Sequence, residues 1–246
     1  MMLETTLSKL HQMKLSAMAE ALTEQNQSTM YAELPFEDRL GLLIDRELTA
    51  RDNRRLTNLL RGAKLRYTNA CPEEIDFRTP RGLAKDVILS LAQNGWVKGH
   101  QNVIITGPTG SGKTFIACAL ANSACRHGHS AHYIRLPRLL QEMNIARSDG
   151  SYGKQLIRLA KYAVLIIDDW GLSKLGDKER RDILEVLEDR HGISSTIISS
   201  QIPTDKWHDT IGDPTIADAV LDRLVHNAHT ITMKGESMRK LMSKIK

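Results

Sequence analysis

Residues Gly107-Pro108-Thr109-Gly110-Ser111-Gly112-Lys113-Thr114 leave a chain few ways to fold around them. They fill the pattern G-x-x-x-x-G-K-[ST] completely. Before them Asn102-Val103-Ile104-Ile105-Thr106 reads as a short buried strand, and after them Phe115 to His127 reads as a helix. That strand-loop-helix context is the one in which the pattern cradles phosphates. The chemistry explains the composition. Backbone N–H groups can reach phosphate oxygens only where side chains do not intervene, and a helix N-terminus favours negative charge. Lys113 then offers a point charge to the β- and γ-phosphates, and the Thr114 hydroxyl offers a ligand to Mg²⁺. All eight residues are therefore candidate nucleotide-binding residues, with Lys113 also catalytic.

A second stretch fits the first. Val164-Leu165-Ile166-Ile167 predicts a buried strand, and Asp168-Asp169 stands at its carboxyl end, where a P-loop fold needs a Walker B acid. Asp168 is the candidate metal ligand, with Thr114, and Asp169 the carboxylate that could orient or deprotonate the attacking water. Thr196-Ile197-Ile198-Ser199-Ser200-Gln201 predicts another apolar strand ending in polar side chains. In P-loop ATPases with an additional strand next to Walker B, such an end contacts the γ-phosphate or the water. Gln201 is the first candidate and Ser200 the second. Arg223, after the last helical segment, suits an arginine finger supplied to a neighbouring subunit; the competing reading is a surface arginine paired with Asp222 or Asp218. No N-K-x-D guanine-reading motif occurs, which favours ATP over GTP.

Strand-like runs at residues 102–106, 131–136, 163–168, 195–199 and 229–233 alternate with helical segments at first. The pattern predicts an α/β P-loop NTPase with a parallel five-stranded sheet flanked by helices, binding its ligand at the strands' carboxyl ends. Ahead of it lies a small all-helical N-terminal domain over residues 1–66: one amphipathic helix through residue 26, a polar break at Gln25 to Thr29, and a second helix from near Pro35 to Leu65. Residues 67–80 read as a linker and 81–246 as the ATPase domain, opening with a helix from Arg81 to Gln93.

With a formal charge of +5 and a pI near 9.1, the chain is mildly basic, so the location of the charge matters more than its sum. Arg51, Arg54, Arg55, Arg61, Lys64 and Arg66 are opposed only by Asp52. They form either a solvated helix face or a surface that follows DNA phosphates. No apolar run has transmembrane length, no signal-peptide pattern opens the chain, and three cysteines form no C-x-x-C pair. A soluble cytoplasmic protein with reduced, buried Cys118 and Cys125 is expected.

Taken together, Gly107 to Thr114, Asp168-Asp169-Trp170-Gly171, Ser199-Ser200-Gln201-Ile202-Pro203, and the run from Ile211-Gly212-Asp213-Pro214 through Asp222-Arg223-Leu224 to Gly235-Glu236-Ser237-Met238-Arg239 resemble the IstB family. These are AAA+ helper ATPases of insertion-sequence transposition, related to DnaC helicase loaders and initiator ATPases. The resemblance implies ATP and Mg²⁺ as cofactors and a homo-oligomer with ATP between subunits. It also implies multimerisation on duplex DNA, bending of that DNA, and cooperation with a cognate transposase. Two helical pieces between Pro137 and Ala160 would face DNA with Arg138, Arg147, Lys154, Arg158 and Lys161, and Arg239 would be a sensor arginine at the nucleotide.

Two departures are evident. Asp169 stands where most relatives carry Glu, which implies slow turnover suited to a switch, and little chain remains after Arg239 for a helical lid. A replicative helicase loader, preferring single strands, shares the core motifs; a nucleotide-binding scaffold without useful catalysis and a small-molecule kinase are the other readings.

Overall fold

The computed structural model describes residues 2–235 and 237–238. It divides into two compact units, residues 1–58 and 59–246. In the first unit, helix α1 (Met2–Gln12) and helix α2 (Ser16–Gln27) replace the single helix predicted for this stretch. The break is a helix stop made without glycine. Lys14 takes φ of 60°, Leu15 N–H donates to the Leu10 carbonyl at 2.9 Å, and Lys14 N–H donates to the His11 carbonyl at 2.9 Å. Those two bonds satisfy the last carbonyls of α1 in the Schellman arrangement.

Helix α3 (Phe36–Ala63) begins where Pro35 predicted it, and α2 buries its small side chains Ala17, Ala19 and Ala21. Polar pegs set the register. Glu47 on α3 accepts from the Met18 amide at 3.1 Å and from Arg51 at 2.9 Å, and Gln25 Nε2 donates to the Arg39 carbonyl at 3.0 Å.

In the second unit, Tyr67 packs on Phe115 with ring centroids 5.8 Å apart, and Glu73 pairs with Arg126 at 2.8 Å. Helix α4 starts only at Lys85 (Lys85–Ala92) rather than at Arg81. The delay has a cause: Arg81 spends its carbonyl on the Lys234 amide at 2.8 Å, and Gly82 has φ of 72°. A short α5 (Gly95–Lys98) follows and leads to β1 (Asn102–Thr106).

Then come α6 (Lys113–Arg126), β2 (Ala131–Arg135), α7 (Leu136–Ser148), α8 (Tyr152–Ala160) and β3 (Val164–Trp170). The last elements are α9 (Asp177–Glu188), β4 (Ser195–Ser200), α10 (Trp207–Ile211), α11 (Pro214–Val225) and β5 (Ala228–Thr232). All five strands are parallel, in the order β2-β3-β4-β1-β5. This is the predicted α/β P-loop sheet, covered by helices. β1 and β4 are buried along their whole length, and α6 is buried continuously from Ile116 to Cys125, so small residues such as Ala117 and Ala121 line a helix enclosed on most sides.

Two polar side chains tie the amino ends of the strands together. Asn102 accepts from the Thr196 amide at 2.9 Å and donates to the Arg223 carbonyl at 2.9 Å. Arg190, 1% exposed, donates to the carbonyls of Leu159, Tyr162 and Ser195 and to the Thr196 hydroxyl. Its charge is buried without a carboxylate, yet several carbonyls would lose their donor if it were removed, each at a cost of about 1–3 kcal/mol.

Candidate nucleotide site

The loop after β1 packs against the Met233 backbone and the Arg81 side chain, which crowd two of its glycines. A Cβ on Gly107 would lie 2.6 Å from the Met233 carbonyl oxygen, and one on Gly112 would lie 2.6 Å from the Arg81 guanidinium. Lys113 lies back across the loop, its Nζ donating to the carbonyls of Gly107 at 2.7 Å and Pro108 at 2.8 Å. Burial pushes its ammonium pKa down, while Asp168 and Asp169 pull it up. A partly desolvated cation of this kind acts more strongly on a phosphate than a hydrated one does.

Asp168, 1% exposed, accepts from Thr114 Oγ1 at 3.0 Å and from the Tyr133 hydroxyl at 2.8 Å. Asp169 departs from the simple strand end read in the sequence. It lies inside β3, at a pairing irregularity between Ile167 and Trp170, with φ of 62°. A bulge re-aims a side chain out of the pleat, and here it turns a second carboxylate to the same end of the sheet. Burial, and then the neighbouring Asp168, push the Asp169 pKa up; Arg135, Arg66 and Lys113 oppose the shift.

Gln201 reaches the loop from the end of β4, where its Oε1 accepts from Thr109 Oγ1 at 2.6 Å. Ser200, the second candidate on that strand, turns inward instead, its hydroxyl 3.0 Å from the Trp170 carbonyl and 2.9 Å from that of Ile202. Arg239 lies outside the described residues. Its neighbour Met238 donates an amide hydrogen to the Gly110 carbonyl at 2.9 Å, so the segment beyond β5 borders the loop.

A half-open cleft beside the loop is lined by Tyr67, Asp76, Arg81, Lys113, Phe115 and Met238, among others. Arg81 is the largest omission of the sequence reading. It is 4% exposed and donates to the Ser111 carbonyl at 3.1 Å and the Asp76 carbonyl at 2.6 Å, while its buried Nε has no partner. Nothing in Thr79-Pro80-Arg81-Gly82 announces this role. Tyr133 carries no signal of its own in the sequence, standing between His132 and Ile134 on a strand of mixed polarity.

Arg223 is remote from all of this. It sits in the last turn of α11 and pairs with Glu188, rather than with Asp222 or Asp218. Because its backbone is hydrogen-bonded to Asn102, it stands at the amino end of β1, and the five residues of that strand put roughly 16 Å between it and the chain's own loop.

The basic candidates divide. Arg51 pairs with Glu47, Arg138 and Arg158 both pair with Glu142, and Arg147 donates to Asp182 at 3.0 Å while lying 3.9 Å over the Tyr152 ring. Arg54, Arg55, Arg61, Lys64, Lys154 and Lys161 are exposed. α7 buries Leu136, Leu139, Leu140, Met143 and Ala146, so only its outer face is available to a partner. Among the described residues no three His, Cys, Asp or Glu side chains form a metal-binding group. No described helix is long and apolar enough to cross a membrane.

This geometry is that of a P-loop nucleotide site, and the sequence as a whole matches the model of one family, described as IstB-like ATP binding protein, over residues 8–245. The chain belongs to the IstB-like ATP-binding proteins. Its family makes it an AAA+ ATPase. A putative insertion sequence ATP-binding protein of Sinorhizobium fredii is 46% identical over 240 residues, covering 98% of both chains. The IS1162 putative ATP-binding protein of Pseudomonas fluorescens is 51% identical over 204 residues, covering 83% of this chain and 88% of the other.

Among solved structures, the DnaC helicase loader aligns with a TM-score of 0.57 at 18% identity, over 68% of this chain and 97% of its own. DnaI aligns with a TM-score of 0.59 at 19% identity, over 72% and 93%. At such identities the likeness of this IstB-like chain to both is one of fold.

Proposed function

We propose that this IstB-like ATPase is an ATP-dependent DNA-binding helper of transposition. It multimerises on duplex DNA with ATP between subunits, remodels the target, and stimulates a partner transposase; slow hydrolysis resets the assembly. The insertion-sequence proteins most similar to it over nearly full length support this reading over a helicase loader, whose likeness is confined to the fold.

The observation that carries the shared site is the separation of Arg223 from its own P-loop. An arginine at the opposite end of the sheet cannot reach the γ-phosphate its own Lys113 holds, but it is available to a neighbour's nucleotide once Glu188 releases it.

Within one site, Lys113 and the loop amides hold the β- and γ-phosphates, Gln201 and Asp169 flank the attacking water, and Asp169 takes its proton. Thr114 and Asp168 fit Mg²⁺ that arrives with the nucleotide. They are a hydroxyl and a buried carboxylate within 3.0 Å of each other, and a site with one carboxylate draws its remaining ligands from phosphate and water. When bound, that ion screens the charge on the phosphate oxygens. Exposed Arg54, Lys64, Lys154 and Lys161 are cations placed to meet DNA phosphates.

Subunit mixing tests the shared site. Arg223→Ala removes the finger and Asp169→Asn removes the base, so each variant alone is expected to lose turnover, the former by about 10³–10⁵-fold if the finger has its usual worth. An equimolar mixture regains turnover, because some interfaces then combine an intact Asp169 with a neighbour's intact Arg223. A mixture no more active than its components would refute a finger supplied in trans.

A further inference from the structure

Asp168 is held by more than its metal-side partner. Tyr133 stands on β2 opposite Ile166 of β3, two residues before Asp168, so its ring runs along the sheet and only the hydroxyl arrives at the carboxylate. That hydroxyl donates to Oδ2 at 2.8 Å, while Thr114 Oγ1 lies 3.2 Å from Oδ1 and 3.0 Å from Oδ2.

A carboxylate about to bind a cation through one oxygen rotates freely unless its other oxygen is held, and hydrogen-bonded outer partners of metal-ligating groups typically contribute 10–100-fold in affinity.

We propose that Tyr133 is a positioning residue that fixes the Asp168 carboxylate for the magnesium–nucleotide complex. The proposal rests on the reading of Asp168 as the Mg²⁺ ligand.

The test is a titration of the full chain with Mg²⁺, reading affinity for a fluorescent, non-hydrolysable ATP analogue, with a parallel series in EDTA. Tyr133→Phe keeps the ring and removes only the donor. It is expected to raise the Mg²⁺ midpoint by about 10–100-fold while leaving affinity in EDTA unchanged, a split that mere loss of packing would not produce.

A wild-type midpoint in Tyr133→Phe overturns the proposal. Asp168→Asn separates the premise from the inference. If it too titrates like wild type, Asp168 is not the Mg²⁺ ligand and the proposal falls with that reading.

Discussion

Lys113→Ala is expected to lower ATP turnover by about 10²–10³-fold, the usual consequence of removing one preorganised group that stabilises developing charge. The ammonium is held over the loop by two carbonyls at 2.7 and 2.8 Å, so it is already positioned when phosphate arrives and little reorganisation remains. Because it is 7% exposed, water screens it weakly, and alanine would leave the loop without its central cation. Nucleotide affinity should fall with turnover, since the same charge meets the bound β- and γ-phosphates. Phosphate release and equilibrium binding of ATP, with a melting curve to establish that the fold survives, check the prediction. Turnover within twofold of wild type would remove Lys113 from the site.

Asp169→Asn separates binding from chemistry. Asparagine is among the few residues that tolerate a left-handed backbone, so the φ of 62° survives the change, whereas a β-branched replacement would strain β3. ATP should still bind, and turnover should drop by about 10²–10⁴-fold if the carboxylate is the general base.

The pH profile adds a sign. A base works deprotonated, and burial together with Asp168 raises the Asp169 pKa, so activity is full above that raised value and is lost as pH falls through it. The acid limb of the profile therefore belongs to this group, and Asp169→Asn abolishes that limb along with most of the rate. A variant keeping both the rate and the limb would assign the base to another group.

The parts of the site legible in the sequence were those set by local pattern. The loop, Lys113 and Thr114 follow from contiguous residues, and Asp168 follows from an apolar run that can only be a buried strand. Parallel order follows from alternation. What stayed hidden depends on residues far apart in the chain.

The bulge at Asp169 exists because β3 and β4 fall out of register after Ile167, which no single strand records. Arg81 reads as the start of a helix until the segment after β5 takes its carbonyl, and its guanidinium then meets the loop 30 residues later. Likewise the basic residues of α3, α7 and α8 looked equivalent as charges. Arg51, Arg138, Arg147 and Arg158 found acidic partners on the folded chain, and distance in sequence concealed the pairing of Arg147 with Asp182. The stop after α1 escaped notice because Lys14 took a conformation usually left to glycine.

An ATP-gated assembly on duplex DNA is read out by the mass of the complex in solution, measured with ATP or ADP on duplex or single-stranded DNA of equal length. A large complex is expected with ATP on duplex, and none with ADP, on single strands, or in Lys113→Ala. Assembly that prefers single strands, or that forms equally well with ADP or in Lys113→Ala, would contradict it.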